Sequence, residues 1–180
     1  PPLPKCEYCG APDAPSELSW TCVVAPKDEP GPRLVVSGVV YQADGVTSAP
    51  GVLLYIWHTD ATGRYTRRGD ETGNGLRHGR LRGWMRTDEQ GRYQFDTIRP
   101  AAYPNQEIAA HIHATLTPPG GVEGYIEDYL FADDPLVSER ETRRSGEQGR
   151  FGAVLVTTRS EDGVLRAQRD LRLPGRTEGY

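Results

Sequence analysis

An all-β fold, a β-sandwich with long loops and little helix, is what this sequence predicts, and three observations predict it. Twenty-one Gly and 15 Pro are spread along the 180 residues. β-Branched runs of four to nine residues lie between turn signals. Hardly any stretch carries the 3.6-residue periodicity of an amphipathic helix.

The elements follow in order. Residues 1–32 carry eight prolines: Pro1, Pro2, Pro4, Pro12, Pro15, Pro26, Pro30 and Pro32. Proline lacks an amide donor, so this stretch reads as an extended N-terminal arm, with a β-sandwich domain over residues 33–180. Leu34–Tyr41 is β-branched and stops at the Asp44-Gly45 turn. Val52–Trp57 is a second strand, Arg92–Phe95 a third, and Ile108–Leu116 a fourth that ends before Pro118-Pro119-Gly120. Phe151–Thr157 and Val164–Leu173 are later candidates. Short helices are expected around Ile126–Phe131 and after Pro135.

Composition removes several function classes. Twenty-one basic and 25 acidic residues are mixed, with a formal net charge of -4 and no basic stripe, so no nucleic-acid partner is expected. Ser138–Arg144 is the most Arg-rich run, and its interleaved acids mark a solvated loop or helix end. No window approaches the ~18 apolar residues of a membrane span. The chain starts Pro-Pro-Leu-Pro, without Met, which is the start expected of a processed chain. Cys6 and Cys9 form a CxxC with neither a second ligand pair nor a βαβ context. A local disulfide pinning the N-terminal arm is the expectation, with Cys22 the other available partner. Disulfide use points to an extracytoplasmic or secreted location, with the cytoplasm the alternative.

The chemistry lies in Tyr103-Pro104 and His111-Ile112-His113. Residues i and i+2 of a strand share a face, so both imidazoles can reach one metal. A tyrosine phenolate is a hard anionic donor that suits Fe(III), and protein Tyr does ligate iron. Asp60-Ala61-Thr62-Gly63-Arg64-Tyr65 echoes Asp88-Glu89-Gln90-Gly91-Arg92-Tyr93. Tyr93 has Phe95 at i+2 and reads as core. Tyr65 runs into irregular chain and is freer to act as a ligand. His58 and His78 read as solvent or loop histidines, and the loop 73–82 as a rim of the site.

Ordered blocks then carry a resemblance: Leu54–Tyr65, Arg82–Asp88, Gly91–Phe95, Thr97–Pro100, Tyr103-Pro104, His111–His113 and Leu130–Leu136. Together they are similar to the intradiol ring-cleavage dioxygenases, nearest to the protocatechuate 3,4-dioxygenase branch and its small single-chain relatives. The resemblance implies a β-sandwich with Fe(III) on Tyr65, Tyr103, His111 and His113. It makes Tyr103 and His111 the axial pair, and Tyr65 and His113 equatorial. It also gives Tyr103 a catalytic role: accepting a proton from a catechol-type diol as it leaves the metal. The implied reaction is opening of the aromatic ring by O2 to a muconate-type diacid.

Three departures bear on the substrate. Ile108 stands where many family members carry an Arg before the first His, which removes a cationic stabiliser. Arg64, Arg82 and Arg86 are candidates to replace it. Asn105 stands at the family's Trp, and Asp128 at its Gln. A neutral catechol or a hydroxyquinol is therefore expected over a carboxylate-bearing one. The competing reading is a non-catalytic transthyretin-like or carboxypeptidase-regulatory-like binding module, which lacks the Tyr/Tyr/His/His set. A third is an iron-binding homologue with an atypical substrate. Oligomeric state is left open, because the helices through which cytosolic relatives dimerise are missing from the pattern.

Overall fold

The computed structural model describes residues 3–175. Eleven strands are assigned: β1 (Thr21–Val23), β2 (Arg33–Tyr41), β3 (Leu53–His58), β4 (Arg82–Arg86), β5 (Arg92–Ile98), β6 (Ile112–Thr117), β7 (Gly124–Phe131), β8 (Val154–Leu155), β9 (Thr158–Arg159), β10 (Leu165–Gln168) and β11 (Leu171–Arg172). Two helices, α1 (Gly75–His78) and α2 (Glu139–Gln148), complete it. One sheet runs β1-β5-β2-β10-β9, with β11 also on β2; the other runs β4-β3-β6-β7-β8. The all-β sandwich expected from the sequence is what forms. No helix among the described residues is long and apolar enough to cross a membrane.

Alternation builds the core. Leu34, Val36 and Val40 of β2 and Tyr93 and Phe95 of β5 are fully buried. They meet Leu54 and Ile56 of β3, Ile112 and Ala114 of β6, and Tyr129 and Phe131 of β7. Each such side chain contributes roughly 1.5–3 kcal/mol by leaving water. Tyr93 is core, as its i+2 partner Phe95 implied. Its buried hydroxyl donates to the Arg169 carbonyl (2.6 Å) and accepts from Tyr129 Oη (3.0 Å).

β3 is buried on both faces. Leu54 and Ile56 face the core. Tyr55 and Trp57 face outward, where the N-terminal segment covers Tyr55 and His78 stacks on Trp57. Gly10 lies on the Tyr55 ring so closely that a Cβ there would come within 2.1 Å of it. Trp84 Nε1 donates to the Gly10 carbonyl (2.8 Å). The stretch 1–32 is therefore more than an extended arm. Its strand β1 pairs in parallel with β5, Thr21 opposite Gln94. Cys6 and Cys9 form the disulfide, and Cys22 is a free thiol whose pKa burial pushes up.

Several expected elements change. The helix expected over 126–131 is strand β7. The pairing with β6 jumps from Ala114 opposite Ile126 to Ile112 opposite Tyr129, so two residues of β7 oppose the single His113. That bulge places Ile126 and Tyr129 on one face at a spacing of three, which imitates helical periodicity in the sequence. The helix after Pro135 is α2, opened by a reciprocal capping box between Ser138 and Glu141. The strand expected from Ile108 begins at Ile112, and β4 was not anticipated. The 151–157 candidate shrinks to β8. The 164–173 candidate breaks into β10 and β11 around Arg169-Asp170.

Candidate metal centre

The outer face of the second sheet carries the cluster. Trp57 of β3 lies opposite His113 of β6, and β7 flanks β6 on the other side. His111 and His113 project from this face two residues apart. Two loops bring the tyrosines over it. In the first, the Asp60 carboxylate accepts from Thr62 N (2.8 Å), Thr62 Oγ1 (2.6 Å) and Arg64 N (3.2 Å), which fixes the turn before Tyr65. Those bonds outweigh the opposing effect of burial and hold the Asp60 carboxyl below its usual range. In the second, Tyr103-Pro104-Asn105-Gln106 has Pro at the second position and a positive φ of 61° at Asn105, the pattern of a type II turn. Gly63 joins the two loops. Its φ is +77°, and a Cβ there would lie 2.0 Å from the Ala102 carbonyl oxygen.

Five separations define the resulting cluster. Tyr65 Oη lies 2.5 Å from Tyr103 Oη and 2.8 Å from His113 Nε2. Tyr103 Oη lies 3.1 Å from His111 Nε2 and 3.3 Å from His113 Nε2. The two Nε2 atoms are 3.1 Å apart. The expected ligands Tyr65, Tyr103, His111 and His113 thus all meet at one point.

The far nitrogens of both rings are engaged elsewhere. His111 Nδ1–H donates to the Ala109 carbonyl (2.7 Å). His113 Nδ1–H is shared between Asp128 Oδ1 (3.0 Å) and Tyr125 Oη (2.5 Å), and the Tyr125 hydroxyl donates to the same carboxylate. These acceptors assign the ring protons to Nδ1 and leave both Nε2 atoms as lone pairs. Two lone pairs then face each other across 3.1 Å, with only two phenolic protons in the cluster. A cation at their meeting point satisfies this donor set, so the residues fit a metal. Phenolic oxygens with imidazole nitrogens suit a hard, highly charged ion.

Without a cation, burial raises the pKa of Tyr65 and Tyr103 and lowers that of His111. A bound cation inverts this and favours phenolate. Burial also raises the Asp128 carboxyl, but the hydrogen bonds from His113 and Tyr125 outweigh it and hold Asp128 below its usual range. His111, His113 and Asp128 form a group within 4.8 Å that could itself hold a metal. Asp128 meets His113 at Nδ1, away from the Nε2 atoms, so it acts on the ring and not at the point of convergence. Tyr125 was missed in the sequence, and Asp128 was noted only as a departure; Tyr125 lies opposite Thr115 on the His113 face, the bulge brings Asp128 onto the same face, and nothing local signals it.

His58 and His78, expected in solvent or loops, are 1% and 4% exposed. His58 bridges the Thr59 carbonyl and Thr97 Oγ1, both at 2.7 Å. His78 stacks on Trp57 at 4.1 Å and accepts from Tyr55 Oη (2.6 Å). Neither joins the cluster. Ile108 is 46% exposed. Among the described residues no Arg or Lys hydrogen-bonds to the four donors. Arg82 pairs with Asp13, and Arg86 reaches the Gly51 carbonyl.

Comparison with known proteins agrees with this fold. The Dioxygenase family model matches residues 8–173. The chain belongs to this family, the intradiol ring-cleavage dioxygenases. It is 33% identical over 114 residues to the protocatechuate 3,4-dioxygenase beta chain of Burkholderia cepacia, covering 60% of this chain and 48% of that one. It is 29% identical over 123 residues to catechol 1,2-dioxygenase of Acinetobacter baylyi, covering 59% and 39%. The chain thus spans about half, or less, of these curated relatives. Among solved structures, the dioxygenase domain of a dioxygenase–carbohydrate-binding protein fusion from Streptomyces sp. SirexAA-E superposes with a TM-score of 0.66 at 25% identity, over 97% of both chains. The 3-chlorocatechol 1,2-dioxygenase of Rhodococcus opacus 1CP shares the fold at a TM-score of 0.67, with 23% identity over 91% and 68%.

Proposed function

We propose that this chain binds Fe(III) through Tyr65, Tyr103, His111 and His113 and cleaves a catechol-type diol between its hydroxylated carbons. The observation that carries the reading is the meeting of four donor atoms with both Nδ1 protons directed away. Family membership supports the ring-cleaving class.

Ferric iron, when bound, would hold both oxygens of the diol and supply the redox chemistry that lets the ring react with O2. The chain's own residues do the rest. Tyr103 Oη takes one phenolic proton of the diol. Tyr103 sits on a turn and not on a paired strand, so it can move outward as it accepts that proton. His113, held by Asp128, Tyr125 and the Trp57 ring stacked on it at 4.8 Å, stays in place. Overall one ring C–C bond breaks, and the two atoms of O2 become oxygens of the two new carboxyl groups.

The substrate is a neutral catechol or a hydroxyquinol. Among the described residues no Arg or Lys hydrogen-bonds to the four donors, Ile108 is apolar, and the Asp128 carboxylate stands behind His113. A carboxylate-bearing ring would meet negative charge there without compensation. The binding-module reading loses ground, because those modules lack the four donors that meet here. The Cys6–Cys9 disulfide favours an extracytoplasmic location, and sequencing the mature protein from cell fractions would test that.

A visible spectrum with an iron assay, before and after anaerobic catechol, tests the function. A broad tyrosinate band that shifts to longer wavelength with catechol is the expected result. A protein that stays colourless after loading with iron in air sinks the reading. A coloured protein indifferent to catechol but responsive to protocatechuate overturns the substrate assignment alone.

A further inference from the structure

The CxxC motif has no part in the reaction above, yet its loop lies against the supports of His113. Glu7 and Tyr8, the two residues between the cysteines, each reach a residue that holds that ring. Tyr8 packs edge-on against Tyr125, with centroids 5.7 Å apart at 76°. Tyr125 Oη lies 2.5 Å from His113 Nδ1. The Glu7 carbonyl accepts from His78 Nε2 (2.8 Å). His78 stacks on Trp57 at 4.1 Å and 12°, and Trp57 on His113 at 4.8 Å and 26°.

What shapes this loop is narrow. No backbone–backbone hydrogen bond forms within residues 3–9. Asn74 Nδ2 donates to the carbonyls of both Cys6 (2.7 Å) and Cys9 (2.6 Å), gripping the two ends. Arg77 Nη1 reaches the Pro4 carbonyl (2.8 Å). The chain after Cys9 is anchored independently, since the Glu123 carboxylate accepts from Gly10 N (2.8 Å) and Ala11 N (3.0 Å). Opening the disulfide therefore frees the short loop while its flanks stay attached. Both cysteines are partly exposed and open to an exchanging thiol.

We propose that the Cys6–Cys9 disulfide is a redox latch on the metal centre, with Tyr8 a positioning residue that acts on His113 through Tyr125. It rests on the metal reading above. An external dithiol supplies two electrons and two protons; the S–S bond splits into two thiols and the dithiol closes to its own disulfide. The freed loop then withdraws Tyr8 from Tyr125 and the Glu7 carbonyl from His78. His113 loses the outer half of its support, and the centre holds its ion less tightly.

Serine variants test this, because a thiol reductant would itself reduce ferric iron. Wild type, the Cys6→Ser/Cys9→Ser pair, Tyr8→Ala and Tyr8→Phe are loaded with iron. The tyrosinate band and the rate of iron loss to a chelator are then recorded. Faster loss, by about tenfold, and a shifted band are expected in the double variant and in Tyr8→Ala. Tyr8→Phe keeps the ring contact and is expected to match wild type. Wild-type loss rates and bands in both the double variant and Tyr8→Ala overturn the latch. Hydrogen exchange on metal-free protein separates this from failure of the iron reading. Reduction should raise exchange in Tyr125–Tyr129 and reoxidation restore it, whether or not iron binds. Unchanged exchange there sinks the latch independently.

Discussion

His58 shows what a buried histidine does to stability at the scale of one residue. Burial, the largest influence, pulls its pKa down to about 4, against the opposing hydrogen bond to the Thr59 carbonyl. His78 is likewise lowered to about 4, mainly by burial. Both are neutral in the folded chain across the window where an unfolded histidine takes a proton, near pH 6.5. The unfolded state then binds more protons, so folding stability falls as pH drops from about 6.5 toward 4. Urea unfolding from pH 7.5 to 4.5 should show this slope. His58→Gln should lower stability overall and reduce that slope, leaving the shares of His78 and His111. An unchanged slope would show that His58 does not titrate on unfolding.

At the scale of the element, β7 and α2 stand in contrast. The β7 bulge sets Tyr125 and Asp128 on one face at a spacing of three, which a regular strand would place on opposite faces. A local irregularity thus gives His113 two acceptors. Helix α2 does no such work. It carries charged residues throughout, buries only Ser145, and is begun by the Ser138 cap. Ser138→Ala should cost about 1 kcal/mol in chemical denaturation and leave iron retention unchanged. A change in iron retention would tie α2 to the site.

Across the whole molecule, the N-terminal segment joins the two sheets. β1 extends the first sheet, while Gly10 and Trp84 fasten the segment to the outer face of the second. A Cβ on Gly83 of β4 would lie 2.7 Å from Val24 and 2.8 Å from Cys22, so β4 and the β1 segment touch without a side chain between them. Removing residues 1–24 should expose Tyr55 and Trp84 and abolish a sharp cooperative thermal transition, as circular dichroism would read it. A truncated chain that unfolds at the wild-type temperature would show that the segment does not hold the two sheets together.

Much of this was legible from residues alone. β-Branched and apolar runs between turn signals marked β2 and β3, and alternation marked β5, because side-chain period is a property of the strand itself. The pair His111 and His113 was legible from its i, i+2 spacing, and the resemblance to the intradiol family joined Tyr65 and Tyr103 to it as a set. Other features depend on chains far apart in sequence. The β7 bulge exists only against β6, and it hid a strand behind a helical spacing. His58 and His78 are buried because other segments cover them, which their own neighbours do not reveal. Tyr125 and Asp128 at His113, and the CxxC loop against Tyr125, come from contacts spanning 12 to more than 100 residues. The sequence by itself determined the fold class and the pair of imidazoles two residues apart, since both rest on local periodicity and residue type. Tertiary structure alone decided what surrounds and steadies those donors, because orientation and burial are set by packing between distant segments.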